Sequence, residues 1–342
     1  MAANPGQVWR RLGLAPIKPG TDQAWVRRQI RRSRAIKNVS ARITWLALVF
    51  IPLILLGILP GCSGEDQRVS PILKVGGIPD QDASRLARRY ESFSDYLSDR
   101  LGVEVEYVPT VDYPAVVTAF SQDGLDLAFF GGLTGVQARL RRPGSQVIAQ
   151  REQDARFHTK FIAGARVPIE SLPIDSLAGL KSLASDLTLT FGSEISTSGH
   201  LMPRHFMGQA GIDPDKDFRS LPNYSGSHDL TWKLVESGSF DVGVLNENVW
   251  DRAVDQGRVD LERVRVFYTT PEYFDYNWTV NPNVEVRFGQ GFTGRLQDAL
   301  LSLNDGEHGD ILDLFSARRF IPSQNDNYAE IEAVARSLGI IR

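Results

Sequence analysis

A single cysteine, Cys62, stands in 342 residues, so no internal disulfide can form and the folded part must rely on its core. Beyond Cys62 there is no thiol nucleophile, and the chain has no G-x-S-x-G elbow and no Walker loop, which removes the commonest motif-bearing enzyme classes. Histidine is scarce too. Of the five, His158 and His308 are isolated, while His200 and His205 are five apart and off a shared helical face, so neither a metal nor another cofactor is expected. No low-complexity tract or short repeat is present, which excludes a disordered, collagen-like or solenoid chain. What remains is ordinary globular composition, 42% hydrophobic and 23% charged, at a length that suits about two globular units.

The net charge of −3 conceals an asymmetry. Ten Lys/Arg against Asp22 alone precede Cys62, leaving 28 basic and 40 acidic residues from there on, so +9 is followed by −12. So acidic a globular part would repel a phosphate backbone, and nucleic acid is not expected as a partner. Residues 43–59 are uncharged and mostly apolar behind a basic stretch from Arg27 to Arg42, the layout of a secretory signal. Leu59-Pro60-Gly61-Cys62 follows and resembles the lipobox of bacterial lipoproteins, which implies cleavage before Cys62 and a lipid anchor on it. The plainer alternative is an uncleaved span of 17 residues, at the short limit for crossing a bilayer. The long basic region leaves open a downstream start or a cytoplasmic tail. Segment 1–61 is therefore expected as signal or anchor and 62–70 as tether.

From Ile72 short apolar runs alternate with amphipathic stretches: Leu73 to Gly77, helix-like 83–101, Val103 to Val108, helix-like 113–121, Leu125 to Phe130. Strand and helix in turn argue a parallel sheet. The pattern restarts with Phe161 to Ala165, Leu187 to Gly192, helices near 199–210 and 228–237, Phe240 to Leu245 and Val264 to Tyr268. The tail, helix-like over 291–303, 307–317 and 326–338, has too little strand for a third domain and is expected to pack on the first. The prediction is an α/β, two-lobed chain, 71–155 plus 276–342 and 156–275, joined by two crossings with a ligand cleft between them.

Four ordered motifs carry a resemblance: Val111-Asp112-Tyr113; Ala128-Phe129-Phe130-Gly131-Gly132-Leu133-Thr134; Phe191-Gly192-Ser193-Glu194-Ile195-Ser196-Thr197-Ser198-Gly199; and Ser225-Gly226-Ser227-His228. By themselves, Ser196, Thr197, Ser198 and Gly199 are either an ordinary helix cap or a set of neutral donors for an oxyanion at a helix start. Pro203 predicts that this helix is irregular or starts later. Together the motifs resemble the phosphonate-binding family of periplasmic solute receptors of ABC importers, whose fold is the two-lobed type II periplasmic-binding-protein fold. The run from Phe130 to Ala138 also resembles a subgroup often labelled selenate receptors.

The resemblance implies a receptor, not an enzyme. It would take a small tetrahedral oxyanion (phosphonate, phosphite or phosphate) as a monomer and deliver it to a permease and ATPase on separate chains. The alternatives are a selenate- or sulfate-type receptor of the same fold and a two-lobed transferase-like enzyme. It places ligand contacts at Tyr113, Ser196, Thr197, Ser198, Gly199, Ser227 and His228, with carboxylates Glu247 and Asp275 in the cleft. Asn246 or Asn248 shares the role of Glu247 if the register is one residue off. Phe130 stands where the family often has a tyrosine, and Thr134, Asp80 and Gln81 are further candidates at strand ends.

Overall fold

A computed structural model describes residues 70–168 and 177–342, all within one compact unit, Gln67–Arg342. Segment 1–61 and Cys62, with the signal and anchor expectations, lie outside the described residues. The chain opens with β1 (Leu73–Gly77) and a helix over Ala83–Leu101. Asp82 caps that helix by accepting from the Ser84 and Arg85 N–H groups, and Gly102 ends it at φ 69°, a conformation that costs glycine nothing. Its buried residues Leu86, Tyr90, Phe93, Leu97 and Leu101 recur every three or four positions, the stripe that binds a helix to a sheet.

Then follow β2 (Val105–Tyr107), a helix over Tyr113–Ser121, β3 (Leu127–Phe130), a helix over Gly132–Arg141 and β4 (Gln146–Arg151). A second set begins with β5 (Thr159–Gly164), β6 (Leu189–Phe191), β7 (Asn223–Tyr224), β8 (Val242–Asn246) and β9 (Val264–Thr269). The chain returns through β10 (Asn277–Val280) and β11 (Phe320–Pro322).

Two sheets result, ordered β11-β4-β10-β3-β1-β2 and β7-β6-β8-β5-β9. Counted within each lobe, both read second, first, third, inserted, fourth, and the first adds β11 at its edge. The inserted strands β10 and β5 run antiparallel to both neighbours. The parallel-sheet expectation holds for the pairs β1–β2, β1–β3, β6–β7 and β6–β8, and the inserted strands make both sheets mixed. An inserted strand arrives straight from a lobe crossing, and an antiparallel neighbour needs no crossover helix of its own.

The tail packs on the first sheet as expected, its helices burying Phe292, Leu296, Leu312, Phe315, Ile331 and Val334 in that core. Trp278 on β10 stacks on Phe93 at 4.8 Å, and Phe315 meets Phe129 edge-on at 5.5 Å. The crossings, 152–158 and 270–276, are tied to each other. Phe157 and Tyr273 exchange backbone hydrogen bonds of 2.8 and 3.0 Å, and the Asp275 N–H donates to Asp154 O at 3.0 Å. Asp154 is wholly buried against Arg151, whose guanidinium lies 4.7 Å from the Tyr276 ring. The carboxyl ends of β1, β3, β6 and β8 all feed loops into the space between the sheets, where ligands of open α/β sheets are held.

Candidate functional site: the interlobe cleft

The loop after β6 turns into a π-helical turn, Thr197–Leu201, before an α-helix over Met202–Gln209 with Pro203 in its first turn. The two run on without a break, so Pro203 withholds a donor from the ladder, and Ser198 O accepts from Thr159 Oγ1 at 2.9 Å instead. Ser196 caps the turn, its Oγ accepting from the Gly199 N–H at 3.0 Å. Gly199 has to be glycine: a Cβ there would lie 2.9 Å from Ser196 Oγ, 3.1 Å from Gly192 Cα and 3.1 Å from His228 Cε1. Thr197 reaches across the cleft, its Oγ1 accepting from the Leu133 N–H at 2.9 Å. The preceding N–H, of Gly132, donates to Asp275 Oδ1 at 2.9 Å. The amino end of the Gly132–Arg141 helix is thus satisfied from the other lobe and from a crossing.

Asp275 is the most perturbed carboxyl of the cleft. Burial pushes its pKa up to about 7 against the pull of the Gly132 N–H, with Asp154 adding repulsion and the Thr197 and Ser198 hydroxyls opposing it. Its Oδ2 is buried with no partner. Tyr113, at the head of its helix, is also buried beside the Ser196 hydroxyl without completing a hydrogen bond. Burial, with Asp80 and Asp275 nearby, drives the Tyr113 pKa well above its ordinary value, so it stays an O–H donor. One unpaired donor and one unpaired acceptor, both desolvated, bracket the Ser196 to Gly199 turn.

His228 begins the His228–Glu236 helix behind the cap of Ser227, whose Oγ accepts from the Leu230 N–H at 3.4 Å. Its Nδ1 accepts from the Asn246 N–H at 3.3 Å, which leaves the proton on Nε2, 3.5 Å from the Tyr276 hydroxyl. Burial lowers its pKa to about 4, so the ring is neutral at pH 7. The Tyr276 hydroxyl donates to Asp80 Oδ2 at 2.9 Å and accepts from Asn246 Nδ2 at 3.0 Å. Tyr276 escaped the sequence reading. Its only signal was adjacency to Asp275.

The remaining candidates divide. Phe130 is wholly buried in the first lobe's core, edge-on to Phe120 at 5.3 Å, as a packing residue. Thr134 is buried but turns its hydroxyl onto Gly131 O, 3.0 Å away. Ser198 offers its carbonyl to Thr159 Oγ1 at 2.9 Å. Glu247 leaves the cleft cluster and accepts from the His158 N–H at 2.9 Å, with the ring Nδ1 3.1 Å from its Oε2, beside the first crossing. Asn246 is the residue of that motif that joins the His228 and Tyr276 network. At the cleft mouth a cavity of about 850 Å³ is lined by Tyr107, Val111 and Tyr113 of one lobe and Ser193, Gly226 and Ser227 of the other.

Comparisons with known proteins bear on the family and the fold. Residues 75–328 match the model of a family described as the phosphonate periplasmic substrate-binding protein of ABC transporters. The chain is 45% identical over 273 residues to a probable phosphite-binding protein of an ABC transporter, PhnD1 of Prochlorococcus marinus (strain MIT 9301), covering 79% of this chain and 91% of that one. The solved structure of the Prochlorococcus protein with methylphosphonate superposes with a TM-score of 0.75, covering 79% of this chain and 99% of that chain. A phosphate-import protein, PhnD of Mycolicibacterium smegmatis, is 26% identical over 213 residues, 57% of this chain and 64% of its own.

Proposed function

Because the chain belongs to the phosphonate family of periplasmic substrate-binding proteins of ABC transporters, we propose that its cleft closes on a small phosphorus oxyanion (phosphite, a short phosphonate or phosphate). The family is one of extracytoplasmic transport receptors and not of enzymes, with the permease and ATPase on other chains. The observation that supports this ligand is the pair of buried, unpartnered groups, Tyr113 Oη and Asp275 Oδ2, on either side of the Ser196 to Gly199 turn. A desolvated donor and acceptor without partners cost free energy that a ligand can recover by pairing both.

In this reading Tyr113, Ser196, Thr197, Ser198 and the Nε2–H of His228 donate to the oxyanion oxygens, with neutral donors in place of a cationic clamp. Asp275 Oδ2 takes the remaining oxygen. Phosphite, phosphate and monoalkyl phosphonates can carry a P–OH proton near neutral pH, and Asp275 shares that proton in a charge-assisted hydrogen bond. Selenate and sulfate bring none. Against them the carboxyl must supply its own proton, at a cost that grows as pH rises past about 7.

The proposed lobes are 71–155 plus 276–342 and 156–275. A monomer held at the membrane through lipid on Cys62 completes the reading. Competition titrations at pH 7 and 8 test the ligand assignment. Phosphite or methylphosphonate is expected to bind more tightly than selenate, with the gap widening at pH 8 and narrowing in Asp275→Asn. Tighter selenate binding by the wild type would defeat the assignment. For the anchor, labelled fatty acid entering a Cys62→Ser variant would defeat lipidation at that residue.

A further inference from the structure

The turn that follows β1, Asp80 to Asp82, is gripped by the opposite lobe at three successive residues. Asp80 O accepts from the His228 N–H at 3.2 Å. Gln81 Oε1 accepts from Arg252 Nη1 at 2.5 Å. The Asp82 N–H donates to Asp229 Oδ2 at 3.1 Å. Asp229 is itself anchored in its own lobe, its Oδ1 lying 3.3 Å from Trp232 Nε1 and 3.5 Å from Arg258 Nη1. These partners occupy both of its oxygens, and none of them belongs to the ligand cluster.

The Asp82 N–H also has an unusual setting. Asp82 is the cap residue of Ala83–Leu101, a 19-residue helix with no acidic residue in its first turn. The partial positive charge at that helix end is met first by Asp82's own carboxylate, which accepts from the Ser84 and Arg85 N–H groups, and Asp229 adds a second carboxylate from the other lobe on the Asp82 N–H. A buried carboxylate held at a helix amino end by a charge-assisted bond favours the closed arrangement whatever the ligand is.

We infer that the Asp80 to Asp82 turn is a clasp between the lobes and that Asp229 is a positioning residue, setting how long the receptor stays shut on its ligand without touching that ligand. This rests on the closing-receptor reading above. A clasp formed only after closure acts on opening: it lengthens the residence time and leaves the encounter with the open form unchanged. Closure and ligand binding share one equilibrium, so weakening the clasp lowers apparent affinity by the loss in closed population.

The test uses wild type, Asp229→Asn, which keeps size and an acceptor oxygen, and Asp229→Ala. Labelled phosphite and, separately, labelled methylphosphonate are bound and chased with an excess of unlabelled ligand. Dissociation is expected to quicken about 10-fold in Asp229→Ala and about 3-fold in Asp229→Asn, with association within 2-fold of wild type, the scale of one charge-assisted bond. Dissociation at the wild-type rate in both variants, with melting temperatures showing both folded, would overturn the clasp. A wild type that holds neither probe would instead sink the ligand assignment. The clasp is then judged from X-ray scattering of the ligand-free proteins, where a larger radius of gyration in Asp229→Ala is expected and an unchanged one overturns it.

Discussion

The two lobes share a strand order and contribute to the cleft in different ways. The second lobe's oxyanion-turn candidate is held from within that lobe: Ser196 caps Gly199, the Gly192 N–H donates to Gly199 O at 2.8 Å, and the Gly226 N–H donates to Gly192 O at 3.2 Å. The first lobe's half is finished only by contact. Its Gly132 and Leu133 N–H groups end on Asp275 and Thr197, and its Asp80 to Asp82 turn ends on His228, Arg252 and Asp229. In the proposed reading one lobe thus carries a prebuilt oxyanion turn, and the other carries groups that report whether the cleft is shut. Affinity for the anion and the free energy of closure are therefore separable by mutation.

Glycine substitutions break that contrast most severely. Gly199→Ala drives a Cβ into Ser196 Oγ, the Gly192 backbone and the His228 ring, so it disrupts the turn in the open and the closed form alike. Calorimetry is expected to show affinity down by about two orders of magnitude or more, the scale of an overpacked buried site, together with a lower melting temperature. Gly131→Ala has the opposite profile. Its φ of −75° suits alanine, and the nearest obstacles are Thr197 Oγ1 at 3.2 Å and Asp275 Oδ1 at 3.3 Å, on the opposite lobe and on a crossing. Affinity should fall about 10-fold while the ligand-free melting temperature holds. Equal loss of stability in both variants would erase the distinction.

Hydroxyl deletions sharpen it. Ser196→Ala and Thr197→Ala each remove a group on the turn, and loss of a hydrogen bond to a charged ligand is worth about 1.5 to 3 kcal/mol, or roughly 10-fold or more in Kd. Thr134→Ala, on the first lobe, deletes a hydroxyl already bonded to Gly131 O, and its Kd should stay within about 2-fold. A Thr134→Ala effect as large as that of Ser196→Ala would put the anion on the first lobe.

Acid titration of the ligand-free protein sets the crossing against the second lobe. Asp275, raised to about 7 in the fold, keeps its proton after the unfolded chain has lost its own. Its stability contribution is therefore present below pH 4 and lost as pH climbs from about 4 to 7. His228, lowered to about 4 by burial, does the reverse: its neutral ring costs stability as pH falls from about 6.5 to 4, because the unfolded chain takes up the proton first. The two slopes oppose each other over the same window. Scanning fluorimetry should show Asp275→Asn gaining on the wild type from pH 4 to 7, by about 4 kcal/mol at most, and holding that advantage above pH 7. A constant difference between pH 5 and pH 8 would mean the carboxyl is not perturbed.

Much of this architecture was legible in the chain. Helices such as Ala83–Leu101 announce themselves by spacing and cap, and the Ser196 to Gly199 turn and His228 stood out at helix starts. The inserted strand β10 was not legible. It carries buried Asn277 and Thr279 between Trp278 and Val280, and nothing local says that it slots between β3 and β4, whose partners lie more than a hundred residues upstream. β4 was missed for a related reason, since buried Gln150 and Arg151 interrupt its apolar run. Tyr276 and Asp229 act on partners 196 and 147 residues away, a distance at which local pattern carries no signal.

Glu247 gives the smallest expected effect and separates the crossing from the cleft. Two carboxylates were candidates for holding the ligand proton, and their surroundings differ. Asp275 is wholly buried with one oxygen unpaired, whereas both Glu247 oxygens face His158, Oε1 its backbone N–H and ring and Oε2 the ring alone, and the side chain retains 17% exposure. A partly exposed pair of this kind contributes at most about 1 kcal/mol. Glu247→Gln keeps an acceptor for the His158 N–H, so phosphite and methylphosphonate affinities should stay within about 2-fold of wild type, with selectivity over selenate unchanged. If Glu247→Gln erodes that selectivity while Asp275→Asn leaves it intact, the proton-accepting carboxylate is Glu247, and the cleft must close in a different register from the one described.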